Sequence, residues 1–483
     1  MQNVTLTKKQ QEAVDYEGQD LLIRGIAGSG KTIVLLNKAN KILTKYVDEK
    51  VYLFTFNGAL SAYAKELASI IGSDRLVVTT FHSWTMQMLR KIRVRFNIVK
   101  QTDKELALKR SIEKVREQIT HRLVVEEKYL DFLDDEISWM KGKDLRQKEQ
   151  YFGADRIGRG TKVFVDKKAR EVIFSVFSEY QKELQLLNCV DFDDLAHLLH
   201  SKCANLNSFP TLDNVLVDEA QDLQELQLKL LKKCANKRMI IAADKGQKIY
   251  NTSFAWRDIG VNITGGRTKL LQDSFRSTKQ IISLAHSLQK HDPLYKNNDE
   301  EYVHPILPER TGPIPLLVEC EGYEDEEEYI VQAVKELLTS YPEWTIGILS
   351  RRKPSLSRFY KRLLTIGVPV EYVTKDQGSA IKQGVKLMTF HSAKGLEFDT
   401  ALVIRLREKT VPSYDSNEDL DEETLAVERR LLYVAMTRAK SVLVMTYYQK
   451  RSRFVDEMDS SLYKYERVGG NNGDSTLFLE PTI

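Results

Sequence analysis

One octapeptide constrains this chain more than any other stretch: Gly25-Ile26-Ala27-Gly28-Ser29-Gly30-Lys31-Thr32 follows an apolar run at 21–23 and precedes a helical pattern from Ile33. Strand, glycine-rich turn and helix start, in that order, make a cradle for phosphate. The glycines let consecutive backbone N–H groups turn towards an anion, and the lysine reaches β- and γ-phosphates. The threonine hydroxyl joins a Mg²⁺ shell. Gly28, Ser29, Gly30, Lys31 and Thr32 are the expected nucleotide-phosphate set.

A second strand-like run ends in acids, Val215-Leu216-Val217-Asp218-Glu219-Ala220-Gln221-Asp222. Acid pairs at strand ends are commonly just solvated. Downstream of a phosphate loop they take on separate roles: Asp218 holds Mg²⁺ through water, and Glu219 orients and deprotonates the attacking water. Together the two motifs predict an NTPase.

Short β-branched runs at 21–23, 51–54, 76–80, 215–217 and 239–242 alternate with helical patterns, and a second series lies at 270–271, 315–318, 345–349, 385–388, 401–404 and 442–445. Strands buried on both faces read this way, so the expected class is α/β with two lobes, each built on a parallel sheet. From Met86 to Cys189 the β pattern gives way to long charged amphipathic segments, which predict a mainly helical subdomain inserted in the first lobe. The expected organisation is a first lobe from 1–88 and 191–268, the helical subdomain at 89–190, a second lobe at 269–450 and a frayed tail at 451–483.

Composition sets bounds rather than a function. A net charge of +4 over 483 residues does not by itself argue for nucleic acid. Ten Lys/Arg against four Asp/Glu between Lys141 and Arg170, with a further basic cluster from Arg90 to Arg95, are candidate phosphate contacts. Cys189, Cys203, Cys234 and Cys320 lack metal-ligand spacing and read as buried thiols. No apolar run is long enough to span a membrane and the N-terminus has no signal-peptide pattern, so a cytoplasmic location and no membrane partner are expected.

The remaining motifs point further. They are Leu6-Thr7-Lys8-Lys9-Gln10, Thr55-Phe56-Asn57, Thr79-Thr80-Phe81-His82-Ser83-Trp84, Asp191-Phe192-Asp193-Asp194-Leu195 and Ala243-Asp244-Lys245-Gly246-Gln247-Lys248-Ile249-Tyr250. Phe254-Ala255-Trp256-Arg257, Leu271-Gln272-Asp273-Ser274-Phe275-Arg276, Thr389-Phe390-His391-Ser392-Ala393-Lys394-Gly395-Leu396-Glu397-Phe398 and Glu428 to Ala439 follow. In order and in kind these resemble the motifs of the UvrD/Rep family of superfamily 1 helicases, over nearly the whole chain.

That resemblance implies two RecA-like P-loop NTPase lobes closing on ATP, and a 3′–5′ translocase or helicase on single-stranded DNA that works at a single/double-strand junction. It implies that Gln10 reads adenine, Glu397 with Gly395 beside it meets the nucleotide, and Gln247 links the γ-phosphate to the bound strand. Arg276 and Arg438 would serve the γ-phosphate across the cleft; a guanidinium suits that role because it is permanently charged and forked. The strand would meet Phe56, Asn57, His82, Trp84, Tyr250, Trp256, Thr389 and His391, with Trp256 and Tyr250 stacking on bases. A lone tryptophan is more often a core residue; position after the glutamine motif favours stacking for Trp256.

The chain departs from the family pattern in three places. Ser274-Phe275 stand where Asn-Tyr is usual, Ile33 stands where many relatives place an arginine, and only a stretch such as 375–384 marks the place where larger relatives insert a fourth subdomain. Two alternatives to an autonomous helicase follow: a translocase that strips proteins or serves a partner nuclease in repair or defence, and an ATP-dependent switch that grips nucleic acid without travelling.

Overall fold

The β-branched runs of the sequence become strands because each alternates its side chains between two helix-covered faces. A computed structural model describes residues 5–56, 58–156, 163–249, 254–297, 299–373, 383–414 and 420–469. In the first lobe the strands are β1 (Asp20–Gly25), β2 (Val51–Thr55), β3 (Leu76–Thr80), β4 (Leu212–Val217), β5 (Ala235–Ala243) and β6 (Thr268–Leu271). They form one six-stranded sheet in the order β3-β2-β4-β5-β1-β6. Leu22, Phe54, Val215, Val217, Met239 and Ile241 feed one core; Leu21, Ile23, Leu53, Leu216 and Ile240, one residue out of step, feed the other.

The second lobe carries β7 (Leu316–Cys320), β8 (Thr345–Ser350), β9 (Val370–Tyr372), β10 (Gly384–Thr389), β11 (Phe398–Val403), β12 (Ala439–Tyr448) and β13 (Lys464–Val468). These form a seven-stranded sheet in the order β13-β7-β12-β11-β8-β10-β9. All registered pairs of named strands in both sheets are parallel.

Two boundaries differ from expectation. Residues 270–271, read as the start of the second lobe, belong to β6, which pairs with β1 through Leu22↔Thr268 to Gly25↔Leu271 and ends the first sheet. Nor is 451–483 a tail throughout: Arg453–Glu457 is helical and β13 pairs with β7 from Lys464↔Leu316 to Val468↔Cys320. As an exposed edge strand, Lys-Tyr-Glu-Arg-Val lacks the apolar run that announces a central one.

Between Asn97 and Val190 the elements are helices, chiefly Gln101–Gln118, Leu130–Gly142 and Lys167–Leu186, around a core of their own. The neck is a short ladder, with Val190 N–H donating to Asn97 O at 2.8 Å and Val99 N–H to Val190 O at 2.9 Å. Beside it Lys141, 0% exposed, meets Asp191 at 2.6 Å and Asp194 at 2.8 Å. Much of the basic run at 141–170 is likewise engaged internally, which corrects its reading as phosphate contacts. Arg146 pairs with Asp194, Lys143 with Glu225 and Arg156 with Glu136, and Arg170 donates to the carbonyls of Tyr151, Phe152 and Ala154. Lys148, Lys167 and Lys168 remain exposed. Cys203, Cys234 and Cys320 are buried free thiols, and Cys189 is half-buried. No described helix is long and apolar enough to cross a membrane.

Candidate active site and nucleic-acid interface

β1 ends at Gly25 and the following turn delivers Lys31 to the first position of the helix Lys31–Lys45. Gly28 and Gly30 have φ of +74° and +78°, the left-handed region where a Cβ is strained. A methyl added at Gly28 would stand 2.7 Å from Arg276 Cβ, so the loop passes directly beneath the second lobe's arginine segment. Lys31 Nζ donates to Gly25 O at 2.8 Å and Ile26 O at 3.0 Å, and lies 3.8 Å from Asp244. Ser29 Oγ is buried without a hydrogen-bond partner. Gln10 N–H donates to the capping Thr7 Oγ1, while the Gln10 side-chain amide donates to Ser29 O at 3.0 Å, which places it behind the loop.

β4 ends at Val217, so Asp218 and Glu219 arrive beside the loop. Thr32 Oγ1 donates to Asp218 Oδ2 at 2.5 Å. Glu219 takes φ +50°, ψ 41°, which turns its carboxylate away from the strand line, and Gln221 Nε2 donates to it. Burial, then repulsion from Glu219, pushes Asp218 up to about 6. Burial also works against ionised Glu219, yet Lys31 and then Lys394 hold its carboxyl below the usual range.

The second lobe completes the cavity, whose volume is about 270 Å³ and whose walls include Gly28 to Ile33, Glu219, Gln247, Phe275, Arg276, Gly395 and Glu397. Arg276 Nε donates to Glu397 Oε2 at 2.8 Å. Arg438 is 1% exposed and stands behind the wall; it donates to Val434 O, Leu396 O and, at 3.0 Å, to Gln247 Oε1. Burial and then the nearby Arg276 cation hold Arg438 down to about 9. Gln247 also donates to Asp244, and its carbonyl accepts from Lys394.

Lys394 lies within the motif Thr389–Phe398, whose sequence alone assigns it no role. It is 1% exposed and crosses between the lobes to Asp222 at 2.7 Å. Leu60 and Tyr63, on the helix Gly58–Ser69, line the same cavity, and Leu60 packs within 3.2 Å of where a Cβ on Gly395 would lie. Arg310 and Lys440 lie on its rim. Nothing in the sequence near Tyr63 or Arg310 signals this; long-range folding alone brings them in.

The residues expected to hold a strand divide. A second cavity of about 500 Å³ opens between the lobes and the helical region, and Phe56, His82 and His391 line it. Trp84 does not. It is 2% exposed, edge-on to Phe54 with centroids 5.5 Å apart, inside the first-lobe core. Thr80 caps the helix Phe81–Lys91, and one turn on Trp84 shares the inward face with Phe81 while His82 points outward. That corrects the reading of Trp84 as a strand contact. Trp256 is 7% exposed and sits edge-on to Phe254 at 5.2 Å, with part of its surface at a third cavity, of about 450 Å³. Thr389 Oγ1 caps the turn that ends β10, accepting from Ser392 N–H at 3.2 Å. Asn57 and Tyr250 lie outside the described residues.

Comparison with known families agrees with this arrangement. The profile described as the UvrD/REP helicase N-terminal domain matches residues 6–259, and that of the UvrD-like helicase C-terminal domain matches 373–450. A protein named a probable DNA helicase II homolog in Mycoplasma capricolum is 26% identical over 72% of this chain and 49% of its own length. A probable DNA helicase of Mycoplasma pneumoniae is 24% identical over 91% of this chain and 83% of its own. The ATP-dependent DNA helicase PcrA of Staphylococcus epidermidis is 26% identical over 59% of this chain and 40% of its own. The chain thus spans about half the length of the first of these relatives.

Proposed function

The chain belongs to the UvrD/REP helicase family, and from that premise we propose that it hydrolyses ATP in the cavity between its lobes and uses the cycle to travel along single-stranded DNA. The observation that carries the reading is the convergence of Lys31, Glu219, Gln247 and Arg276 on one cavity, with Arg438 bonded to Gln247 behind it.

In this mechanism the loop N–H groups and Lys31 hold the phosphates. Glu219, kept ionised by Lys31 and Lys394, accepts the proton of the attacking water. Arg276 exchanges Glu397 for the γ-phosphate, and Arg438, already bonded to Gln247, meets developing charge. The Thr32 hydroxyl and the Asp218 carboxylate, already in contact, are the residues that would hold Mg²⁺. That ion would supply charge neutralisation at the β- and γ-phosphates.

Nucleotide contacts on both lobes make closure a shift in population towards the closed form. Each closure moves the grip of one lobe on the strand relative to the other. Travel from 3′ to 5′ rests on family likeness. ATPase rate with and without single-stranded DNA tests the core of the reading; a strand that leaves turnover unchanged would overturn it.

One observation favours a translocase that depends on a partner for unwinding. β9 ends at Tyr372 and β10 begins at Gly384, leaving no room for the duplex-contacting subdomain of larger relatives. Translocation needs only the cleft, whereas sustained separation also needs something to hold the fork. The expected result is strong strand-stimulated ATPase with poor displacement from a duplex of several helical turns bearing a 3′ tail. Efficient unwinding of that duplex by the chain alone would show the subdomain to be dispensable.

A further inference from the structure

The two second-lobe arginines come from separate segments, Arg276 from the connection between β6 and the helix Lys279–Gln289 and Arg438 from the turn between the helix Glu422–Met436 and β12. Their spacing must be set by something that touches both segments. Ser277 Oγ contributes one tie, donating to Ala439 O at 2.6 Å. Arg310 contributes more. Its Nη1 donates to Arg276 O at 3.0 Å and Lys440 O at 3.3 Å, and its Nη2 donates to Ser441 Oγ at 2.7 Å. Its own carbonyl accepts from Lys279 N–H at 2.7 Å, which fixes its position against the start of the next helix.

A planar guanidinium is suited to this because its fork serves several acceptors in one fixed plane. Among the described residues the side chain makes no carboxylate pair, and its bonds end on the backbone of Arg276 and on the two residues that follow Ala439. It also stands on the rim of the nucleotide cavity. Gly312, two residues on, donates its N–H to Gln280 Oε1 at 2.9 Å and lies where a Cβ would meet Thr278 at 2.5 Å, so the segment carrying Arg310 is seated closely on the arginine segment.

We infer that Arg310 is a positioning residue for hydrolysis: it holds the backbone of Arg276 against that of Lys440 and so sets the separation of the two arginines that serve the γ-phosphate. This rests on the ATPase reading above. Arg310 acts through Arg276 rather than on substrate, so its loss misplaces a group that matters in the transition state more than in ground-state binding.

The test is steady-state and single-turnover ATP hydrolysis at saturating single-stranded DNA, on the full chain, for wild type, Arg310→Ala, Arg310→Lys, Arg276→Ala and the Arg276→Ala/Arg310→Ala double variant. Arg310→Ala should lower kcat ~10- to 100-fold, the scale of a displaced catalytic group, with KM for ATP within about twofold. Arg310→Lys keeps the charge but not the fork and should fall nearly as far; added guanidinium ion should restore part of the rate to Arg310→Ala and none to Arg310→Lys. In the Arg276→Ala background the second substitution should cost less than about threefold, because the group it positions is gone.

Several results would overturn the inference. Equal fold losses in both backgrounds would show that Arg310 acts independently of Arg276. A raised KM with unchanged kcat would make it a direct substrate contact. Normal kcat per folded molecule with a lowered melting temperature would make it a structural tie only. A wild-type chain that turns over no ATP would instead bring down the reading of the cleft, and with it any role for a residue that positions its arginines.

Discussion

The small cavity at the phosphate loop and the wide cavity against the helical region are walled by different chemistry. In the first, polar groups converge on an anion-sized space: the glycine turn, Lys31, Glu219, Gln247 and Arg276 face one another across about 270 Å³. In the second, of about 500 Å³, the cations are already paired, Lys143 with Glu225 at 2.9 Å and Arg351 with Glu428 at 2.6 Å, while Phe56, Phe81, His82 and Trp139 supply rings. The nucleotide half is therefore built in advance around charge. The other half offers ring faces and backbone more than free cations, and a strand held there would be gripped by its bases.

The comparison is sharpened most by Glu219→Gln. The amide keeps the shape and the contact with Gln221 but cannot take a proton, so hydrolysis should fall by ~10²- to 10⁴-fold, the range of general-base contributions. ATP affinity should remain. Single-turnover hydrolysis beside equilibrium nucleotide binding checks this; loss of binding would mean that the strained turn at Glu219 needs the charge for its structure.

Trp84→Ala probes the first-lobe core and should act on folding. Removing a ring this buried, packed edge-on to Phe54, costs ~3–5 kcal/mol by lost burial and a remaining cavity. Denaturant unfolding measures it. Strand affinity per folded molecule should be unchanged, and a selective loss of affinity would return Trp84 to the interface.

Trp84 also shows where the sequence stops being legible. The phosphate loop, the acid pair and both sheets could be read because their parts are local: a φ above zero asks for glycine at Gly28 and Gly30, and a strand buried on both faces shows as an apolar run. The motif string around Trp84 was just as recognisable, yet whether its ring faces a strand or a core is decided by the turn of the helix on β3. The same holds for β13, whose polar edge carries no apolar signal, and for Arg310 and Tyr63, which reach the cavity from segments with no motif of their own. Lys141 reads as a candidate phosphate contact in the sequence because its partners, Asp191 and Asp194, lie far along the chain.

Phe56→Ala tests the base-gripping half directly. Phe56 is half-buried on the wide cavity's wall, and base stacking on an aromatic contributes ~1–3 kcal/mol, so single-strand affinity should fall by roughly 5- to 150-fold. ATPase without DNA should change little. Fluorescence anisotropy with a labelled oligonucleotide, set against basal turnover, separates the outcomes: unchanged affinity would remove Phe56 from the interface and leave His82 and His391 to carry it.

The smallest effect is expected at the seam on which both cavities depend. Lys245, two residues past the end of β5, meets Asp299 at 2.8 Å and Glu301 at 3.1 Å on the second lobe, and Arg24 near the end of β1 donates to Glu300 O at 2.9 Å. These groups are about a third exposed or less, so each pair is worth only ~0.2–1 kcal/mol after solvent screening. Asp299→Asn removes one charge, leaves Glu301 in place and keeps an oxygen for the N–H of Glu301. ATP affinity should therefore weaken by no more than about fivefold, through a lobe pairing that opens more readily. Burial raises the Asp299 carboxyl, but the Lys245 bond, the Glu301 N–H and the Lys245 and Arg24 charges together bring it below its ordinary range. A depressed folded-state value means that the contribution is complete above the ordinary carboxylate range and is lost only as pH falls through the lowered value. The variant should differ from wild type equally at neutral and mildly alkaline pH, and the difference should shrink as salt screens the pair. A penalty of tenfold or more that persists in high salt would show that Asp299 holds the seam by geometry rather than by charge.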